Sequence, residues 1–219
     1  MKNKIIIVLA LLLATLTGLG MNTTAQASSS AKVYFKRYKE SKTFKNEKTA
    51  TFSYQLPQLR GKSSAIKKIN ATLRKSYKRE VIAKENLYEM VKSIRDSEYT
   101  PTNNIHDLVS TNVTYNRNNI ISIRSYKDYN YDQLIEISGW TFSLKTGKAL
   151  NIFDVTKDSN SKVKARLVDR VKQSDLNGYW VKHTDYKATS FYLKGNKAYA
   201  YMLTRDGYLH PMIFTSRYK

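Results

Sequence analysis

Two spacings of apolar residues alternate along the chain. In "TATFSYQLPQL", Thr49 to Leu59, the side chains of Phe52, Tyr54 and Leu56 fall at every second position and share one face, as in a half-buried strand that Pro57 stops. Arg60-Gly61 then turns the chain. From Ser64 the steps lengthen to three and four through Ile66, Ile69, Leu73, Tyr77 and Val81, with Lys67, Lys68, Arg74, Lys75, Lys78 and Arg79 on the other faces. This is the pattern of an amphipathic helix capped by Ser63 or Ser64, continuing with a bend through "ENLYEMVKSIRD" to Asp96. Its apolar stripe is expected to cover a sheet and its basic face to meet solvent.

After the turn-rich "YTPTNN" the pattern is dominated by strands. "LVSTNVTYNRN" and "IISIRSYKDYNYDQ" flank Arg117-Asn118-Asn119, and "QLIEISGWTFSLKTGKALNIFDV" carries a hairpin signal at Lys145 to Lys148, where Gly147 supplies the positive φ of a tight turn. A second helix fits Ser161 to Gln173, with Val163, Leu167, Val168 and Val171 on one side. Three short strands follow, broken at Gly195-Asn196 and Asp206-Gly207. These elements predict an α+β fold, an antiparallel β-sheet with helices packed on one face, in two small lobes at 49–108 and 109–219. Ser28 to Lys48, rich in lysine and weakly patterned apart from "VYFKRY", is expected to be a flexible basic arm ending in an edge strand.

The first residues change the picture of where the chain works. Lys2 and Lys4 precede an apolar run from Ile5 to Leu13 that weakens toward Leu19, and Ala25-Gln26-Ala27 provides the small residues of a cleavage site. Residues 1–27 are therefore expected to be a secretory signal peptide, and the mature chain to be secreted, with retention at the cell wall an alternative and no stable membrane insertion. The chain has no cysteine, so no disulfide framework is available and stability must come from a core. Export without cysteine suits a Gram-positive envelope.

Formal net charge is +21; loss of Lys2 and Lys4 with the signal leaves +19. The excess sits toward the front, with 18 basic against 5 acidic residues between Lys32 and Arg95. Such a surface draws polyanions. Nucleic acid fits poorly with export, and no nucleic-acid-binding motif is present; teichoic acids are the abundant polyanions of a Gram-positive wall.

The linked series of motifs resembles a known family. "FSYQLPQLRGKSSAIKKINATLRK", Phe52 to Lys75, is similar to the first lobe of the extracellular modules of RsiV-type anti-sigma factors and PdaC-type peptidoglycan deacetylases. "VTYNRNNIISIRSYKDY", Val113 to Tyr129, and "WTFSLKTGKALNIFDV", Trp140 to Val155, resemble the second lobe. The resemblance implies an envelope-facing, non-enzymatic binding module that recognises a wall component or a host wall-degrading protein such as lysozyme. Neither the transmembrane helix of such anti-sigma factors nor the deacetylase domain is expected from this sequence.

Candidate chemistry narrows the classes further. Asp128 and Asp132 share a strand face about 13 Å apart, a spacing that flexible side chains bring into the range of inverting glycosidases, but most such pairs on a tyrosine-rich strand are solvent-exposed salt partners of nearby lysines, and that reading is preferred. His106, His183 and His210 are scattered and form no ligand motif, so no metal and no cofactor are expected, and no glycine-rich phosphate loop or nucleophile elbow is present. The candidate ligand-binding residues are Tyr126, Asp128, Tyr129, Tyr131 and Asp132. In a regular strand Tyr129 and Tyr131 share one face, Tyr126 and Asp128 the other, and the hydrophilic neighbours favour an exposed edge for both tyrosines. Lys67, Lys68, Arg74, Lys75, Lys78 and Arg79 form the candidate polyanion-binding face. Expected partners are thus a cell-wall polymer or an extracellular protein, with a peptidoglycan-acting enzyme as the third class.

Overall fold

The computed structural model describes residues 30–94, 104–130, 134–174, 179–201 and 211–219. The expected signal peptide lies outside them. Strands β1 (Val33–Thr43) and β2 (Thr49–Leu59) pair antiparallel along their whole length. The basic stretch expected to be a mobile arm is therefore the edge strand β1. Its charges, Lys36, Arg37, Lys39, Glu40 and Lys42, sit where an edge strand tolerates them and discourage pairing with another chain.

β2 runs through Pro57 to Leu59, where a stop was expected. Its ladder with β3 ends at Tyr54 and Val109, so Pro57 faces only β1 and its missing N–H costs no second-neighbour bond. The chain then enters helix α1 (Ser64–Ser93), with Ser63 as N-cap accepting the Ile66 N–H at 3.2 Å. It returns as β3 (Asn104–Arg117), parallel to β2, and continues antiparallel through β4 (Ile120–Tyr129) and β5 (Leu134–Ser143). Asn118 and Asn119, both with φ near +55° (54° and 57°), make the β3–β4 turn, a backbone state that asparagine reaches more cheaply than most residues. The sheet order is β1-β2-β3-β4-β5, and the βαβ crossover makes β2–β3 its parallel pair. The expected lobe boundary at 108/109 falls inside β3.

One face of this sheet is covered by α1. Ile69 and Leu73 meet Phe52, Tyr54, Val109, Ile121, Ile123 and Phe142 in one cluster, and Leu87, Tyr88 and Val91 meet Ala50 and Ile105 in a second. The helix buries Ser76 where the sequence spacing favours Tyr77, and Tyr77 and Val81 are only half-buried. A bulge between Val113 and Tyr115 reverses the alternation of β3, so Tyr115 lands on the opposite face beside Ile120.

On that opposite face lie α2 (Ile152–Val155), α3 (Asn160–Ser174), α4 (Tyr179–His183), a 3₁₀ turn at Tyr186–Ala188 and a three-stranded antiparallel sheet of β6 (Ser190–Lys194), β7 (Lys197–Tyr201) and β8 (Met212–Thr215). Val163, Leu167 and Val171 of α3 bury against Phe191, Leu193, Ala198, Ala200 and Phe214, as the period of α3 predicts. The two sheets meet where β6 lies against β4 and β5: Leu193 N–H donates to Ser122 Oγ at 2.8 Å, and Gly139 N–H to Ser190 Oγ at 2.9 Å. The approach depends on glycine, because a Cβ on residue 139 would lie 2.4 Å from the Phe191 carbonyl oxygen. The fold is α+β.

Candidate functional site

The first half of α1 carries charge of one sign. From Ser64 to Arg79 it contains no carboxylate, and Lys67, Lys68, Arg74, Lys75, Lys78 and Arg79 are all exposed. Arg74 donates to Gln58 Oε1 at 3.0 Å and Arg79 to Ser76 Oγ at 3.1 Å. Among the described residues none of the six takes part in an ion pair. The second half differs: Lys84 bridges Glu40 at 2.9 Å and Glu85 at 3.2 Å. That hydrogen bond holds the Glu40 carboxyl below its ordinary value.

Glu80, the first acid of the helix, faces the sheet. It accepts from Lys127 Nζ at 2.9 Å, and the same ammonium lies 3.3 Å from Asp107 Oδ2. The register explains the meeting. Lys127 stands opposite Val109 on β3, and Asp107 opposite Tyr129 on β4, so all four side chains project toward α1. Asp107 is 2% exposed, and its Oδ1 has no hydrogen-bond partner. Burial pushes the Asp107 carboxyl up from its ordinary value; Lys127 opposes this, while Glu80 and Glu136 add repulsion. Burial works against the Lys127 ammonium, yet the Glu80 and Asp107 carboxylates more than offset it, and its value is raised.

Beside this triad opens a cleft of about 380 Å³ between α1 and the ends of β3, β4 and β5. Asp107, Lys127, Tyr129 and Glu136 line it from the sheet, and Ala83, Asn86, Leu87 and Met90 from the helix.

Of the sequence-predicted ligand residues, the three that lie among the described residues, Tyr126, Asp128 and Tyr129, do not share one face. Tyr129 is half-buried on the helix side, its hydroxyl 3.5 Å from Met90 Sδ, so the exposed edge expected for it is corrected to a cleft wall. The hydrophilic neighbours misled because α1, distant in sequence, covers that end of the strand. Tyr126 and Asp128 point to the other face, where Asp128 Oδ1 lies 3.7 Å from His106 Nε2. Tyr131 and Asp132 lie outside the described residues, as does His210. His183 packs its ring on Tyr179 at 4.3 Å. Among the described residues no group of three or more histidines and acids could hold a metal ion, and no helix is long and apolar enough to cross a membrane.

Asp107, Lys127, Glu80 and Glu136 were not among the sequence candidates. One signal for them exists: at period two Asp107 falls between Ile105 and Val109 on the inward face of its strand, an acid at a core position.

No family model matches the chain, and no curated protein matches it. Solved structures do, among them two from DUF3298 family proteins. A DUF3298 family protein from Pseudomonas aeruginosa PAO1 is 9% identical with a TM-score of 0.50, over 86% of this chain and 91% of that one. A member of the DUF3298 family from Bacteroides fragilis NCTC 9343 is 11% identical with a TM-score of 0.48, over the same shares, 86% and 91%. At these identities the likeness to the Pseudomonas protein speaks for the fold alone: the chain has a fold similar to that of DUF3298 proteins.

Proposed function

We propose that the protein is a secreted, non-enzymatic cell-envelope binding module that recognises an anionic wall polymer such as teichoic acid through the first half of α1. The observation that supports this reading is the exposed face of Lys67, Lys68, Arg74, Lys75, Lys78 and Arg79, with no carboxylate from Ser64 to Arg79 and, among the described residues, no ion pair to neutralise it. Surface cations of a folded protein are usually interspersed with acids. Here a rigid helix holds them in two adjacent rows, Lys67, Arg74 and Lys78 in one and Lys68, Lys75 and Arg79 in the other, so a linear polyphosphate can engage several at once, and the attraction fades with salt as the Debye length falls from about 10 Å at 0.1 M to about 3 Å at 1 M. Lysozyme is itself strongly basic, and this face repels it at long range; lysozyme therefore comes second as a partner.

The test is retention of the mature protein on purified Gram-positive walls. The reading expects retention that falls steeply with added salt and vanishes when teichoic acids are stripped. Salt-insensitive retention would turn the assignment toward shape-specific recognition of glycan or protein, with calorimetry against lysozyme separating the two. Turnover of peptidoglycan fragments that is lost in Asp128→Asn would overturn the non-enzymatic reading.

A further inference from the structure

The cleft beneath the second half of α1 has the opposite character from the helix face above it. In a chain of net charge +21, its walls carry Asp107 and Glu136 against one cation, Lys127, and that cation is already held by Glu80 at 2.9 Å. Two acceptors remain unused. Asp107 is 2% exposed with Oδ1 lacking any donor, and Glu136, exposed at the cleft wall, makes no ion pair among the described residues. Buried carboxylate oxygens in folded proteins nearly always have partners, so an orphaned one beside an open cleft marks a place where a donor belongs. The remaining lining is apolar or amphipathic: Ala83, Leu87, Met90 and the Tyr129 ring, with the Asn86 amide at the wall. The volume, about 380 Å³, is at the small end of the range for small-molecule sites, about 300–1,000 Å³.

We propose that this cleft is a binding site for a primary alkylammonium group, which places its charged head between Asp107 and Glu136 and its methylene chain against Leu87, Met90 and Tyr129. A quaternary or bulky cation does not suit it, because an ammonium N–H donor is what the orphaned Asp107 oxygen lacks. Anions are excluded by the two carboxylates of the lining and by Glu80 behind Lys127. The group has two sources, a free alkylamine or the side chain of a lysine in a peptide. The site is separate from the basic face and does not depend on the envelope reading.

The experiment is a titration of the whole mature protein with n-pentylamine, 1-pentanol and Nα-acetyl-lysine-N-methylamide, followed by the Met90 methyl and Tyr129 ring resonances in NMR. Saturable pentylamine binding that shifts both resonances is expected, with pentanol at least about tenfold weaker. Glu136→Gln, an exposed change that leaves the fold intact, should weaken the amine at least threefold and leave pentanol unchanged. Asp107→Asn should weaken the amine more. Tighter binding of the lysine derivative than of pentylamine assigns the source as peptide, and the reverse as free amine. Equal binding of amine and alcohol, indifference to Glu136→Gln, or no saturable shift with any amine would each overturn the proposal.

Discussion

Replacing Lys127 by methionine should expose how the charges under α1 are balanced. The substitution keeps length and apolar volume but leaves Asp107 without a counter-charge at a site where it is 2% exposed. Removing one member of a buried pair costs about 3–5 kcal/mol. Lys127 keeps 23% of its side-chain exposure, and water reaching that end of the cleft brings the expected loss at neutral pH to about 2–3 kcal/mol. For a chain of this size that is a fall in Tm of roughly 4–12 °C.

The pH dependence has a definite sign. The Asp107 carboxyl is already raised above its ordinary value, so its ionised form weakens the native state; that cost is absent well below the unfolded pKa, grows as pH rises past it and is fully present above the folded one. Loss of Lys127 raises the folded value further. The Tm gap between wild type and Lys127→Met should therefore be widest near about pH 7.5 and shrink toward about pH 4.5, where protonation also relieves the parent's need for the pair. Adding Asp107→Asn to Lys127→Met should recover most of the loss at neutral pH, since the uncompensated charge is gone. Calorimetric melting at the two pH values measures all of this. A gap that is equal at both, or a double variant no more stable than the single one, would refute the reasoning.

Two further outcomes follow from packing. Gly139→Ala puts a methyl group 2.4 Å from the Phe191 carbonyl oxygen and 2.8 Å from its carbon, backbone atoms that cannot step aside singly, so β6 must lift from the large sheet at about 1–3 kcal/mol, read by denaturant unfolding. Tyr129→Ser removes a half-buried ring that packs beside Met90, and about 1–3 kcal/mol should be lost, below the roughly 3–5 of a fully buried aromatic; an unchanged melting temperature would return Tyr129 to the exposed edge.

Where local pattern decides structure, the sequence was readable. The period of Ile69 and Leu73 placed α1, Val163, Leu167 and Val171 placed α3, and Asn118-Asn119 placed a turn, because each follows from the nearest few residues. β1 was obscured because an edge strand with few buried side chains has no apolar alternation to read; it is ordered by β2, with which it pairs from end to end. The basic face was legible as composition, but its freedom from ion pairs was not, since Glu80 lies next in sequence and turns inward to Lys127. The Asp107–Lys127–Glu80 cluster joins β3, β4 and α1, and only the strand register and the helix crossover bring those residues within bonding distance. Tyr129 could be assigned to a face from its period. Which face the helix would cover is a tertiary fact.

The most direct test of the functional account is a charge-placement experiment on a purified teichoic acid. One variant changes Lys67, Lys68, Arg74, Lys75, Lys78 and Arg79 to glutamine; the other changes Lys157, Lys164, Lys182, Lys187, Lys194 and Lys197, six exposed lysines of the C-terminal half, and so carries the same net charge. Affinity is measured for both and for the parent across a salt series, with melting temperatures confirming that each is folded. The account predicts that the helix variant loses most of its affinity and most of its salt dependence, while the C-terminal variant stays near the parent. Equal losses in the two variants, or full binding by the helix variant, would contradict it.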